Sequence, residues 1–170
     1  MKSLKKILPI IALIILISVI VFVIINKNNK SNAKESNILE STSWYATDNS
    51  NVIFEDGIIT WYREANSESY YKGKYKTYVG EDAYNYLTKD LKEYGVTKGE
   101  LNDLFKRNNL YSKDKLIVVD IYYDTFMLDG MEQKVSNPHV PWFGFILEDN
   151  TLLDVANMNT ESYYRFEKAK

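Results

Sequence analysis

His139 is the only histidine in the chain. A hydroxyl–imidazole–carboxylate triad, and most transition-metal sites, need at least one. His139 sits between Pro138 and Pro141 and reads as a surface loop residue. Asp120, Asp124 and Asp129 lie along and beyond one strand-like run. On a regular strand Asp120 and Asp124 share a face about 13 Å apart. That is too far for one metal ion or for the paired carboxylates of a retaining glycosidase. These aspartates therefore read as a solvated strand face. Glu148-Asp149-Asn150 reads as a turn, because it lacks the alternating acidic spacing and distal glutamate of a calcium loop. Asn157-Met158-Asn159-Thr160 reads as a loop with no chemistry. The chain has no cysteine, which removes disulfides, thiol catalysis and cysteine-ligated metals together. No catalytic, metal-binding or cofactor-binding residue is assigned, no cofactor is expected, and the chain reads as a non-enzyme.

The aromatic residues stand out: 14 Tyr, 7 Phe and 3 Trp. Tyrosines are doubled at 70–71, 122–123 and 163–164. On a strand, neighbours point to opposite faces, so one tyrosine of each pair can enter the core while the other faces out. Tyrosine suits binding surfaces because it is amphipathic and loses little entropy on being fixed. High β-propensity and AT-rich codon usage also account for many tyrosines. Trp44, Trp61, Tyr71, Tyr75 and Trp142 are the candidate contacts to a ligand or partner.

These side chains need elements to carry them. Val52-Ile53-Phe54 and Ile58 to Tyr62 are β-rich runs joined through Asp56-Gly57, a strong hairpin signal. From Tyr70 to Val79, Tyr71, Gly73, Tyr75, Thr77 and Val79 alternate with Lys72, Lys74 and Lys76, as on a half-buried strand. The spacing of Ala83, Tyr86, Leu87, Leu91 and Tyr94 predicts a helix over 81–94, ended by Gly95. Thr97-Lys98-Gly99-Glu100 is a capping box opening a second short helix with Leu101, Leu104 and Phe105 inward. Leu116 to Met127 is a long strand, turned by Asp129-Gly130 into Met131–Val135. Trp142 to Leu147, Leu152 to Ala156 and Tyr163 to Phe166 complete the strands. Tight turns imply antiparallel pairing. The expected fold is mainly β (α+β): an antiparallel barrel or curved sheet of seven or eight strands with a helical insert at 81–107. A closed barrel is favoured over an open sheet because closure removes exposed edges.

Ahead of this domain, Ile7 to Ile25 is an apolar run broken only by Pro9 and Ser18. Its 19 residues would span about 28 Å as a helix, close to the ~30 Å hydrocarbon core of a bilayer. The run is longer than a cleaved signal's apolar core and exits into Asn26-Lys27-Asn28-Asn29-Lys30 with no small-residue cleavage site. The expectation is an uncleaved, N-terminal transmembrane helix that anchors the chain as a single-pass membrane protein. Lys2, Lys5 and Lys6 form residues 1–6 into a basic cytoplasmic tail and place the C-terminal domain outside the cytoplasm. Residues 26–43, rich in Asn, Ser and Lys, read as a flexible spacer, with the domain starting near Trp44.

Residues 1–35 take six lysines and one glutamate, so the rest of the chain carries 15 basic and 22 acidic groups, a net charge of −7. An acidic domain repels phosphate backbones and anionic headgroups, so no nucleic-acid partner is expected. The absence of cysteine and the heavy use of Asn, Lys, Ile and Tyr resemble exported proteins of AT-rich Gram-positive bacteria.

Ser43-Trp44, the Asp56-Gly57 hairpin and Gly73-Lys74-Tyr75 together resemble the small lipocalin-like (calycin-type) domains exported by Gram-positive bacteria. The resemblance runs from Trp44 to about Lys168 and implies a barrel fold. True lipocalins have a Gly-x-Trp start and a C-terminal helix, and the insert at 81–107 departs from their plan. The functional expectation is a membrane-anchored extracytoplasmic binding or protein-interaction domain, partnered by the membrane through Ile7–Ile25 and by a protein or small apolar ligand. The alternatives are an envelope accessory or immunity-type protein and, less favoured, a carboxylate-dependent envelope hydrolase.

Overall fold

Asp56 and Gly57 turn strand β2 (Asn51–Glu55) back into β3 (Ile58–Tyr62). Both adopt positive φ, 53° and 72°, as a two-residue hairpin with right-twisting strands requires. The computed structural model describes residues 37–91, 94, 96–156 and 163–170. The apolar run Ile7–Ile25, the spacer up to Ser36, and Gly95 lie outside the described residues, as does the loop at 157–160. Among the described residues no helix is long and apolar enough to cross a membrane.

The remaining strands are β1 (Thr42–Ala46), β4 (Tyr70–Val79), β5 (Leu116–Leu128), β6 (Met131–Gln133), β7 (Trp142–Leu147), β8 (Leu152–Ala156) and β9 (Tyr163–Lys168). Each pairs antiparallel with its neighbour in the order β4-β3-β2-β1-β9-β8-β7-β5, and β4 pairs with β5 to close the circle. The result is a closed barrel of eight antiparallel strands, with β6 appended to the far end of β5. Closure leaves these strands without an open edge.

Inward residues fill the barrel: Trp44, Val52, Phe54, Ile59, Ile117, Val119, Ile121, Ile146, Leu153 and Phe166 are all buried. A second core lies on the outside. Leu116 and Val118 of β5 and Phe143, Phe145 and Leu147 of β7 point away from the lumen and pack against the helical insert. That insert comprises α1 (Glu81–Asn85), a π turn (Tyr86–Asp90) and α2 (Lys98–Arg107). Apolar residues on both faces of β5 explain why Leu116-Ile117-Val118-Val119 is a continuous apolar run rather than an alternating one.

The capping box forms as expected, Thr97 Oγ1 accepting from Glu100 N–H and the Glu100 carboxylate accepting from Thr97 N–H. The first helix is shorter than the expected 81–94: α1 passes into the π turn, which ends at Leu91. The segment 37–41 differs too. Leu39 is fully buried inside the barrel, so residues 37–43 belong to the folded domain rather than to the spacer. Asn37 Nδ2 donates to the Tyr75 hydroxyl at 2.7 Å, Tyr75 donates to Glu40 at 2.6 Å, and Thr77 donates to Asn37 at 2.9 Å. These bonds fix the segment across one end of the barrel.

Candidate functional site

The opposite end of the barrel is an aromatic mouth. Trp61 at the end of β3, Tyr71 at the start of β4 and Phe126 near the end of β5 occupy directly paired positions. Their rings form a ladder: Trp61 and Tyr71 stack at 5.5 Å, and Tyr71 and Phe126 stack at 4.2 Å. Cross-strand aromatic pairs of this kind stabilise a sheet as well as shape a wall. Trp142, at the start of β7, reaches across the opening and meets Trp61 edge-to-face at 6.3 Å.

A β-bulge aims the third ring. Gly73 pairs with Tyr123, whereas Lys72 pairs with Thr125, so Asp124 is the extra residue in β5. Without it, strict alternation from Ile121 and Tyr123 would turn Phe126 outward. With it, Phe126 joins the inward row. Gly73 is obligatory at the bulge, since a Cβ there would lie 2.2 Å from the Tyr122 carbonyl oxygen.

The mouth holds two adjoining recesses that share Trp61, Val140 and Trp142. The first, of about 360 Å³, is lined also by Tyr71, Tyr123, Phe126, Lys134 and Val135. The second, of about 520 Å³, is lined also by Ser50, Arg63, Tyr164 and Phe166. Both volumes fall in the range of small-molecule sites, and both are walled mainly by apolar and aromatic groups.

One wall of the first recess is a strap, residues 134–141, running from β6 to β7. Its backbone joins β5 through Tyr123 N–H to Pro138 O at 2.7 Å and Val140 N–H to Ile121 O at 3.0 Å. Pro138 and Pro141 have no N–H, so the pairing stops at one bridge, between Tyr122 and His139. The strap is also held by its side chain. His139 Nε2 lies 2.6 Å from Asp120 Oδ1, Tyr86 donates to Asp120 Oδ2 at 2.8 Å, and the Tyr94 hydroxyl lies 3.3 Å from His139 Nδ1. Tyr122 stacks on the imidazole at 4.4 Å.

This cluster corrects two sequence expectations. Asp120 is 6 % exposed rather than solvated, and His139 is a tied, half-buried group rather than an idle loop residue. The helical insert covers the outer face of β5 just where Asp120 emerges. Asp124, by contrast, is exposed.

The order hydroxyl, imidazole, carboxylate resembles a nucleophilic triad, but the chemistry differs. The hydroxyls are phenols, and Tyr86 occupies the second carboxylate oxygen. Burial, and then its bond to Asp120, holds the Tyr86 phenol well above the ordinary tyrosine value, so it donates rather than attacks. Neither mouth recess is lined by Tyr86, Tyr94, Asp120 or His139. The cluster positions the strap.

A second buried carboxylate, Asp154, is 1 % exposed and receives a two-pronged bond from Arg165 at 2.7 Å and another from Tyr111 at 3.0 Å. It staples β8 to β9 and to the loop that follows α2. Among the described residues no group of three His, Asp or Glu side chains is placed to hold a metal ion.

Of the five candidate contacts, Trp61, Tyr71 and Trp142 converge on the mouth. Trp44 and Tyr75 do not. Trp44 is fully buried in the packed interior, its Nε1 donating to Thr42 at 2.8 Å. Tyr75 closes the other end with Asn37 and Glu40. Sequence reasoning missed Tyr123, Phe126, Lys134 and Val140. The doubled Tyr122-Tyr123 was a usable signal for one of them, because one of the pair had to face the lumen. Comparison of the chain with protein-family models, curated proteins and solved structures returns no match.

Proposed function

We propose that this protein is a non-enzymatic binding domain that takes a small, largely apolar molecule in the mouth of its barrel, held at the outer surface of a bacterial cell membrane by Ile7–Ile25. The observation that carries this reading is the mouth itself: two adjoining recesses of about 360 and 520 Å³ between Trp61, Tyr71 and Trp142. An aromatic, partly enclosed cavity with few polar groups is the usual form of a small-molecule site. A single-pass anchor and an acidic domain suit a protein that works beside the membrane without adhering to its headgroups. The closed eight-stranded meander also agrees with the lipocalin-like resemblance of Ser43-Trp44 and Gly73-Lys74-Tyr75.

The test is chemical extraction. Full-length chain purified from membranes is denatured, and the released small molecules are identified by mass spectrometry beside those from Trp142→Ala. The reading expects one or a few compounds enriched in the wild type and depleted several-fold in the variant. Identical extracts from the two would refute it.

A second reading, docking onto another envelope protein as an accessory or immunity-type factor, is favoured by the outer surface. Tyr45, Tyr62 and Tyr70 fall on one row across β1, β3 and β4, and Tyr45 is 44 % exposed. Tyrosine-rich faces are common in protein contacts.

A further inference from the structure

The first recess has a chemical polarity of its own. On one side stands the flat ladder Trp61–Tyr71–Phe126 and on the other Val135, Val140 and Trp142. Opposed flat and branched apolar walls favour a flat guest over a flexible chain, because stacking adds to burial and a rigid guest loses less entropy.

Its polar lining includes Lys134 and Tyr123, with Ser136 and Asn137 on the strap. Lys134, exposed at the rim, is the only charged side chain in the lining. Tyr123 lies deeper, 5 % exposed, and its hydroxyl has no hydrogen-bond partner among the described residues. Burial, with a smaller push from Tyr71, keeps that phenol protonated far above neutral pH, so it presents a proton. A buried hydroxyl without a partner is destabilising, and a ligand acceptor would relieve that cost. An ammonium at the rim and a phenol in the wall both call for an electron-rich partner. The net charge of −7 on the chain after residue 35 does not oppose this locally, since salt screens charges beyond about 8 Å.

We infer that the first recess selects a flat, ring-bearing acid: the rings lie along Trp61, Tyr71 and Phe126, the acidic group meets Lys134, and an acceptor on the ring body meets Tyr123. This inference rests on the mouth-binding reading above and specifies its ligand class.

The experiment is calorimetric titration of the full-length chain in lipid nanodiscs, with empty nanodiscs as blank. Three probes separate the claims: 6-hydroxy-2-naphthoate, its neutral amide, and octanoate. The acid should bind roughly fivefold tighter than the amide, the upper range for an ion pair at an exposed rim. Lys134→Met should erase that preference, and octanoate should bind at least tenfold more weakly than the naphthoate. Trp142→Ala should weaken both ring compounds. Equal binding of acid and amide, or a preference that survives Lys134→Met, would overturn the acidic class and leave the mouth reading standing. Octanoate binding as tightly as the naphthoate would overturn the flat class. No binding of any probe would overturn the class as a whole, with the extraction experiment still deciding the mouth. Ring binding untouched by Trp142→Ala would overturn the class and the mouth together.

Discussion

His139 Nε2 sits 2.6 Å from Asp120 Oδ1, and this contact ties a mouth-lining strap to the barrel wall beneath the helical insert. Nineteen residues separate the two in sequence. Asp120 also accepts from Tyr86, so its removal leaves two polar groups with a lost partner in a buried place. Asp120→Ala should therefore lower stability by about 2–3 kcal/mol, measured as the urea midpoint, while Asp124→Ala, at an exposed position, should stay within about 0.5 kcal/mol. Equal effects from the two would contradict the assignment of Asp120 as the anchor.

Tyr123→Phe should act in opposite directions on stability and binding. Removing a buried hydroxyl with no partner among the described residues should stabilise the ligand-free protein by about 1 kcal/mol. The same change should weaken 6-hydroxy-2-naphthoate several-fold. A loss of stability greater than 1 kcal/mol would show that the hydroxyl is satisfied within the protein.

The same residue sets an alkaline limit. Burial raises the Tyr123 phenol above its ordinary value of 10.0 in the folded state. As pH rises, the unfolded chain gives up this proton first, so the folded state binds more protons and stability falls. The contribution is intact below about pH 10 and declines above it by about 1.4 kcal/mol per pH unit until the folded group ionises. Urea midpoints taken from about pH 8 to 11 should fall less steeply for Tyr123→Phe than for the wild type. Parallel slopes would sink the argument.

Glycines separate structural need from tolerance. At Gly73 an added Cβ would lie 2.2 Å from the Tyr122 carbonyl oxygen, a backbone atom that cannot move without breaking the β4–β5 register. Gly73→Ala should cost 3 kcal/mol or more, about the upper range for overpacking. Gly99, in the first turn of α2, meets only Thr97 Oγ1, at 3.7 Å. Gly99→Ala should be neutral or stabilise by up to about 1 kcal/mol. Thermal melts of the pair check both.

Leu39→Ala tests where the domain begins. Leu39 is fully buried, so its truncation should cost about 2–5 kcal/mol in the same unfolding assay. A cost below 0.5 kcal/mol would return residues 37–41 to the spacer.

How much of this was legible in the sequence follows from how local each signal is. Asp56-Gly57 and Thr97–Glu100 act within four residues, and both form as read. The alternation of β4 places Tyr71, Gly73, Tyr75, Thr77 and Val79 on one face; the first four do face inward, whereas Val79, at the strand end, is exposed. Alternation says which way a side chain points, but not what covers it. Alternation alone thus leaves Asp120 solvated, although the helical insert lies over it. Phe126 was lost for a different reason: one bulged residue, Asp124, reverses every later assignment on β5. The meeting of Trp61 with Trp142 depends on barrel closure, a property of the whole sheet that no local pattern encodes. The five candidate aromatics could be named as a set, but not divided between mouth, core and closed end.

The most direct test of the binding mouth is fluorine NMR of full-length chain labelled with 5-fluorotryptophan in nanodiscs. The chain has three tryptophans, so three signals result, assigned by single Trp→Phe variants. Trp61 and Trp142 line both recesses, and Trp44 is fully buried away from them. Titration with 6-hydroxy-2-naphthoate should shift the Trp61 and Trp142 signals saturably and leave Trp44 in place. Naphthoate that binds by calorimetry yet shifts only Trp44, or leaves Trp61 and Trp142 unshifted, would contradict the account.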